Sequence, residues 1–347
     1  MHLLSEPTVA QLLRQLTQEQ CHDFLDALSE ALVTVSSQAR SAESEKTIHQ
    51  PLRTTITTKE QNLSLFMPVS NTVNTGFKVV TASQGSGIIG VINIFSPEGK
   101  LLGLLSAAEI TAFRTALAIM TLFIRCSSLK KENVVIFGSG RQAEWHARLA
   151  LILAPSQIRR IVFINRGRKR LDEMSDMISE LKSAHPDVAI ETLAKEDAPN
   201  YTTQLRSELA ASDVIFSCTP ATEPNFPHSY LHRFKPRFIS LIGSYKPHMQ
   251  EIDTETVLSG GGQVYVDSKE ACLEESGELI RAHISESQLI ELGDLYEKQG
   301  KSDPVVVPDG CNVVIKCVGM GIMDLIIGKK LLDVGKERGL GMEVDGF

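Results

Sequence analysis

Residues 134–153 read VVIFGSGRQAEWHARLALIL. Four apolar residues of strand character run into a Gly-Ser-Gly turn, and a helical pattern follows. Gly138-Ser139-Gly140-Arg141-Gln142-Ala143 is G-x-G-x-x-A. Gly138 permits the tight turn, Gly140 lets the backbone approach a pyrophosphate, and Ala143 allows helix and strand to pack closely. Ser139, Arg141 and Gln142 complete the turn and open the helix, whose free N–H groups and positive dipole end attract phosphates. The motif alone is weak; its place between a strand and a helix, at the head of a strand–helix series, gives it weight.

Downstream the alternation continues. RIVFIN (160–165), VAIETL (188–193), SDVIFSCT (212–219), FISLIG (238–243) and QVYVD (263–267) read as strands, with helical patterns at 144–153, 170–184 and 207–211. Such alternation implies right-handed crossovers and a parallel sheet. The second strand selects the dinucleotide, because NAD-specific sites place Asp or Glu at its end for the ribose 2′-OH. Here it ends Ile164-Asn165-Arg166-Gly167-Arg168-Lys169-Arg170, and the first acid is Asp172. Guanidinium groups pair with a 2′-phosphate, so Asn165, Arg166 and Arg168 favour NADP(H) over NAD(H). Lys169 and Arg170 read as a solvated helix start. His146 falls on the outside of the first helix of this domain.

Upstream, Thr17-x-x-Gln20 has capping-box spacing ahead of the helical CHDFLDALSEALVTV. From Pro51 the pattern turns extended: LRTTITT, FKVVTAS, GIIGVINIFS and LLGLL. Ser96-Pro97-Glu98-Gly99 is a tight-turn signal, so 87–105 is an antiparallel hairpin. Ser106-x-x-Glu109 has the same capping spacing and opens a long apolar helix. Within that helix Arg114 shares a face with Ile110, Thr111, Leu117 and Ala118. Lys78 lies on the Val80 side of its strand, and Arg53 lies in RTTITT. A charge on an apolar face must be paired or meet a ligand, and three such cations suggest a pocket for a small carboxylate. Glu109, the only acid near Arg114 in sequence, is engaged at the helix start, so Arg114 is expected to have no local carboxylate and to meet the substrate's. Gly260-Gly261-Gly262 is a loop, and 312–337 reads as helix returning to the N-terminal part. The expected organisation is α/β: a substrate and dimerisation domain at 1–125, completed by 320–347, and a Rossmann domain at 126–319.

The chain has 347 residues, 42% hydrophobic and 22% charged, enough for two cores, and its net charge of −7 argues against a general nucleic-acid binder. Six scattered cysteines without metal-ligand spacing suggest reduced thiols, no disulfide framework and no metal site. The N-terminal residues lack a secretory pattern, and Ala107–Ile124 contains Glu109 and Arg114 and reads as a buried helix rather than a membrane span. A cytoplasmic enzyme is expected, with no membrane partner.

Eight segments, in consistent order, resemble the ornithine cyclodeaminase/μ-crystallin family: PLRTTI (51–56), GFKVVTASQG (76–85), ITAFRTALA (110–118), VVIFGSGRQA (134–143), CTPATEP (218–224), SLIGSYKPHMQEID (240–253), YVDSKEACLEESGE (265–278) and VIKCVGMGIMD (314–324). The resemblance implies a homodimer pairing a Rossmann domain with an α/β substrate domain. It implies that Arg53, Lys78 and Arg114 surround the substrate, the arginines holding its carboxylate, and that Gly319 and Met320 lie near the nicotinamide. Thr219 and Ala221, just after a Rossmann strand, are expected to border the cofactor. A two-fold dimer is also expected to cover the edge strand and apolar helices of the N-terminal domain.

Cyclodeaminases of this family resemble Gly-Gly-Asp-Cys-Pro-Gly where this chain has Ile242-Gly243-Ser244-Tyr245-Lys246-Pro247, so their acid is replaced by Ser244. With the basic second strand, this favours net reduction of an imine. The expected chemistry is hydride transfer from NADPH to the C=N carbon of a ketimine carboxylate. Lys78, its pKa depressed by the neighbouring arginines, protonates the imine nitrogen or polarises it; Arg114 fixes the carboxylate, and Ser244 positions a water or the substrate. The alternatives are a redox-neutral cyclodeaminase, an alanine-like amino-acid dehydrogenase, and, from another class, a non-catalytic NADPH-dependent binding protein.

Overall fold

The structure is a computed structural model that describes residues 1–83, 87–300 and 303–346. It forms two compact units. The last two residues of the 76–85 segment lie outside the described residues.

One unit comprises Thr115–Leu295 and Ser302–Val318. Its eight strands run in the order Leu289–Glu291, Val264–Val266, Val313–Lys316, Phe238–Leu241, Val214–Ser217, Asn133–Phe137, Arg160–Asn165, Ala189–Ala194. Every pairing is parallel. From Asn133–Phe137 the chain builds outward to Ala189–Ala194, then returns to the other side of its starting strand at Val214–Ser217. That reversal puts the topological switch point, where parallel sheets bind nucleotides, at the end of the glycine-turn strand.

Two expectations fail in this unit. VVIK (313–316) is an inner strand, and the C-terminal helix begins only at Gly321. A four-residue apolar run carries no periodicity that separates strand from helix. His146 is fully buried, with its ring 5.1 Å from Phe216 and Nδ1 2.7 Å from the Gln142 carbonyl. Burial pushes its pKa down to about 4, so the imidazole is neutral. The spacing of His146 with Leu149, Ala150 and Leu153 marks an inner face, which the polar identity of His146 obscured.

The other unit comprises Met1–Arg114, Tyr296–Lys301 and Gly319–Phe347. Its sheet runs Met342–Glu343, His2–Leu4, Leu101–Ser106, Gly87–Phe95, Thr75–Ser83, Leu63–Ser70, Thr54–Thr57. The pairings are antiparallel except His2–Leu4 with Leu101–Ser106. The hairpin at 87–105 forms as read; Ser96 N donates to Lys100 O at 2.8 Å and Gly99 takes φ +90°. Thr17 and Gln20 make the capping box that starts the helix Gln18–Gln38. The helix Gly321–Glu337 lies on the sheet: Gly328 faces Ile92 and Ile94, and at Gly103 a Cβ would fall 2.5 Å from Leu332. The division from the other unit falls after Arg114, inside the helix Ala107–Phe123, rather than at 125.

Apart from half-buried Ala108, the apolar residues of Ala107–Phe123 are buried within the chain. Exposed apolar side chains gather instead on Gly87–Phe95, at Ile88, Ile89 and Val91, and on the edge strand at Ile56.

The parallel sheet is backed by an aromatic group in which Phe123 lies 5.6 Å from Phe216 and 5.2 Å from Phe238. Phe216 also packs against Phe238 and His146, so truncating it should leave a cavity costing about 3–5 kcal/mol. Phe216→Ala should therefore move the unit's denaturant midpoint markedly downward; a midpoint equal to the native one would show that the cluster collapses without loss.

Candidate active site

Alternation along Thr75–Ser83 decides where Lys78 points. It is in register with Met67 on one side and Ile92 on the other, and shares the buried face with Val80. The helix Gly321–Glu337 covers that face and presents Asp324 in its first turn. Lys78 Nζ lies 2.6 Å from Asp324 Oδ2, and Arg114 Nε donates to Asp324 Oδ1 at 3.2 Å. Lys78, Arg114 and Asp324 are 2%, 3% and 1% exposed, so one carboxylate faces two cations away from water. Gly319, at φ +89°, makes room for the guanidinium: a Cβ there would fall 2.1 Å from Arg114 Nη1. Burial pushes the Lys78 pKa down to about 8; Asp324 opposes the shift, while Arg114 and half-buried Arg53 add to it.

Two features depart from what the sequence implies. Arg114 does have a carboxylate partner, supplied by a residue 210 positions away that no local pattern could reveal. The low lysine pKa has burial, rather than the arginines, as its first cause.

In the other unit, Gly138 takes φ +113°, and a Cβ there would fall 2.8 Å from the Cys218 carbonyl. Gly140 caps the helix Arg141–Leu153 without any side-chain hydrogen bond, and open space lies beyond its Cα. Ala143 is fully buried against the sheet, Ser139 and Gln142 are half-buried, and Arg141 is exposed. A bare helix start with unobstructed backbone fits a dinucleotide pyrophosphate.

The second strand differs from its reading. Arg168 is committed to Asp197 through Nε and Nη2 at 2.7 and 3.1 Å and to Thr192 at 3.0 Å, while its backbone N–H donates to Glu196 at 3.0 Å. Asn165 turns back onto the Gly167 carbonyl. Arg166 alone of the three is exposed with no side-chain partner among the described residues.

Ser244 is also corrected. It is fully buried, and its hydroxyl donates to Glu278 and accepts from Lys316, so it is not placed to hold a water or a substrate. Thr219 donates through N to Glu251 at 2.9 Å, and its carbonyl accepts from Ala221 N. Met320 is buried at the start of the helix Gly321–Glu337. Asp324, Glu251, Glu278 and Lys316 went unassigned in the sequence. A signal existed for Asp324: an acid inside an apolar helical run, like Arg114 itself.

No family model matches the chain. An uncharacterised protein of Saccharomyces cerevisiae is 34% identical over 309 residues, spanning 80% of this chain and 83% of that one. Delta(1)-pyrroline-2-carboxylate reductase of Bacillus cereus is 27% identical over 336 residues, 92% of this chain and 95% of its own. Ketimine reductase mu-crystallin of Rattus norvegicus is 27% identical over 301 residues, covering 82% and 85%. The chain belongs to the ornithine cyclodeaminase/μ-crystallin family. The family fold extends over its whole length: the solved structure of Thermococcus litoralis Delta(1)-pyrroline-2-carboxylate reductase, in complex with NADH and L-proline, matches with a TM-score of 0.79 at 22% identity, covering 99% of this chain and 100% of that one.

Removing the shared carboxylate charge should leave two buried cations facing each other, at a cost of about 3–5 kcal/mol. Asp324→Asn should lower the thermal midpoint, and should drop the Lys78 pKa below about 8, because Asp324 is the group holding it up. A titration of Lys78 by NMR that stayed at its native midpoint in this variant would show that the contact carries no charge coupling.

Proposed function

We propose that this chain reduces the C=N bond of a small ketimine carboxylate with a nicotinamide nucleotide, NADPH in preference to NADH. The observation that carries the reading is the buried Lys78–Asp324 pair beside Arg114: a proton donor near neutrality next to a carboxylate-binding fork. Relatives named Delta(1)-pyrroline-2-carboxylate reductase and ketimine reductase support the same chemistry.

The reduced nucleotide, when bound, supplies a hydride to the imine carbon. Arg114 and Arg53 hold the substrate carboxylate, and Lys78 Nζ gives its proton to the imine nitrogen, so that hydride and proton together convert C=N to CH–NH. Asp324 keeps Lys78 protonated at working pH and orients Nζ. The Gly138–Ala143 turn holds the pyrophosphate, with Thr219 and Ala221 bordering the nucleotide, and Arg166 meets the 2′-phosphate. Gly319 makes room for Arg114, and Met320 caps the helix that carries Asp324. The exposed apolar strand Gly87–Phe95 is the face we assign to a homodimer. The free cysteines suit a reducing cytoplasm. Among the described residues no helix is long and apolar enough to cross a membrane.

A panel of cyclic and acyclic imine carboxylates, with ornithine as the control, tests the reaction by nucleotide oxidation. Because the protonated lysine is the donor, turnover should fall as pH rises through about 8. Lys78→Met should abolish reduction while nucleotide binding persists; full activity of that variant would remove Lys78 from the chemistry.

Cofactor choice has its own test. Arg166→Ala should weaken NADPH binding by about tenfold or more, through loss of a charge-assisted bond of roughly 1.5–3 kcal/mol, and leave NADH unchanged. Arg168→Ala should do less, since Asp197 already holds that guanidinium. Equal affinities for both nucleotides in the native chain would contradict the assignment.

A further inference from the structure

The parallel-sheet unit contains a second buried charge cluster, built around Glu251. This side chain is fully buried, and its two oxygens serve two different loops. Oε1 accepts from Ser217 Oγ at 2.8 Å and Thr219 N at 2.9 Å, in the segment leaving strand Val214–Ser217. Oε2 accepts from Gly243 N at 2.7 Å and Ser244 N at 3.1 Å, in the segment leaving strand Phe238–Leu241. The two loops touch: a Cβ on Gly243 would fall 2.0 Å from the Thr219 carbonyl oxygen. Glu251 is itself held, since its N–H donates to Glu278 Oε1 at 3.0 Å and Glu278 takes a further bond from Ser276 Oγ at 3.0 Å. Lys316 Nζ closes the cluster on the Ser244 carbonyl and hydroxyl and lies 3.9 Å from Glu278.

The placement gives this a functional meaning. The loop of Ser217–Ala221 follows the strand beside Asn133–Phe137, at the switch point, and Gly138 packs directly on the Cys218 carbonyl. A shift of the Glu251-bound loop is therefore passed to the turn that carries the pyrophosphate.

We propose that Glu251 is a positioning residue for nucleotide binding: its carboxylate ties the two loops at the switch point in one arrangement, and does so only when ionised. The inference rests on the nucleotide-binding part of the reading above. The N–H groups of Thr219, Gly243 and Ser244 can only donate, and the Ser217 and Thr219 hydroxyls already accept from Asn225 Nδ2, so a proton on either Glu251 oxygen costs at least one of these bonds and loosens a loop. Burial pushes the Glu251 pKa up to about 7, with Glu278 adding to the rise and Lys316, Thr219 N and Ser217 opposing it. The charged or titratable groups facing it are Glu278 on the helix Gly277–Arg281, Lys316 on Val313–Lys316, and the Cys218 thiol.

The test is direct nucleotide affinity, measured by fluorescence titration of the full chain without an imine. NADH is used beside NADPH, because a 2′-phosphate itself titrates at about pH 6. Native affinity for both should weaken as pH falls through about 7. Glu251→Gln, which keeps the length but turns an amide N–H toward the donors, should weaken binding roughly tenfold to a hundredfold at pH 8 and lose the pH dependence. Glu251→Asp keeps the charge and should lie between the two. Should Glu251→Gln fail to fold, Ser217→Ala removes a single donor from the ionised form and should move the pH midpoint of binding upward. A folded Glu251→Gln that is merely less stable, with native affinity and native pH profile, overturns the proposal, as does an unmoved midpoint in Ser217→Ala. If nucleotide binds but no imine is reduced, the reductase reading fails and this one stands; if no nucleotide binds, both fall.

Discussion

Everything in the N-terminal unit is arranged around one carboxylate with two cations on it. Asp324 sits between Lys78 and Arg114 on the covered face of an antiparallel sheet, where none of the three is more than 3% exposed. Such a cluster costs desolvation free energy that a well-packed apolar core would not. Its persistence imposes the rest: a strand whose alternation turns Lys78 inward, a C-terminal helix delivered back over the sheet, and a glycine at 319 where any side chain would collide with the guanidinium. In the proposed reaction the surplus cation meets the substrate carboxylate, and the lysine, held at about 8, gives up its proton.

The nucleotide unit repeats the device with the sign reversed. Glu251 and Glu278 outnumber Lys316, and the surplus negative charge is absorbed by backbone and hydroxyl donors rather than by a ligand. This difference separates the roles. In the proposed reading, the cluster whose hydrogen-bonding capacity is consumed inside the protein holds loops in place, and the cluster with a cation to spare meets the substrate. Ser244 belongs to the first kind: its hydroxyl donates to Glu278, and its hydroxyl and carbonyl accept from Lys316, so it braces a loop.

Legibility in the sequence followed the range of each interaction. Local signals were readable: the glycine turn with its flanking strand and helix, the Thr17 capping box, the 87–105 hairpin, and Lys78 on an inner face by alternation. The family motifs carried the fold across the whole chain. Long-range partners were not readable. Asp324 and Arg114 lie 210 positions apart, and Asp197 reaches Arg168 from the end of a neighbouring strand. Neither pairing leaves a periodicity to detect. VVIK at 313–316 was too short to tell strand from helix, and His146 was assigned outward by its chemistry although its spacing placed it inward.

Net reduction at carbon separates this chemistry from redox-neutral cyclisation, and isotope transfer reads it out. Reduced nucleotide carrying deuterium at both nicotinamide C4 positions is incubated with a cyclic imine carboxylate, and the amine product is analysed by mass spectrometry. The account predicts one deuterium on the carbon bearing the carboxylate for each nucleotide oxidised. Conversion of ornithine with no net oxidation of nucleotide, and an imine returned unlabelled, would contradict it.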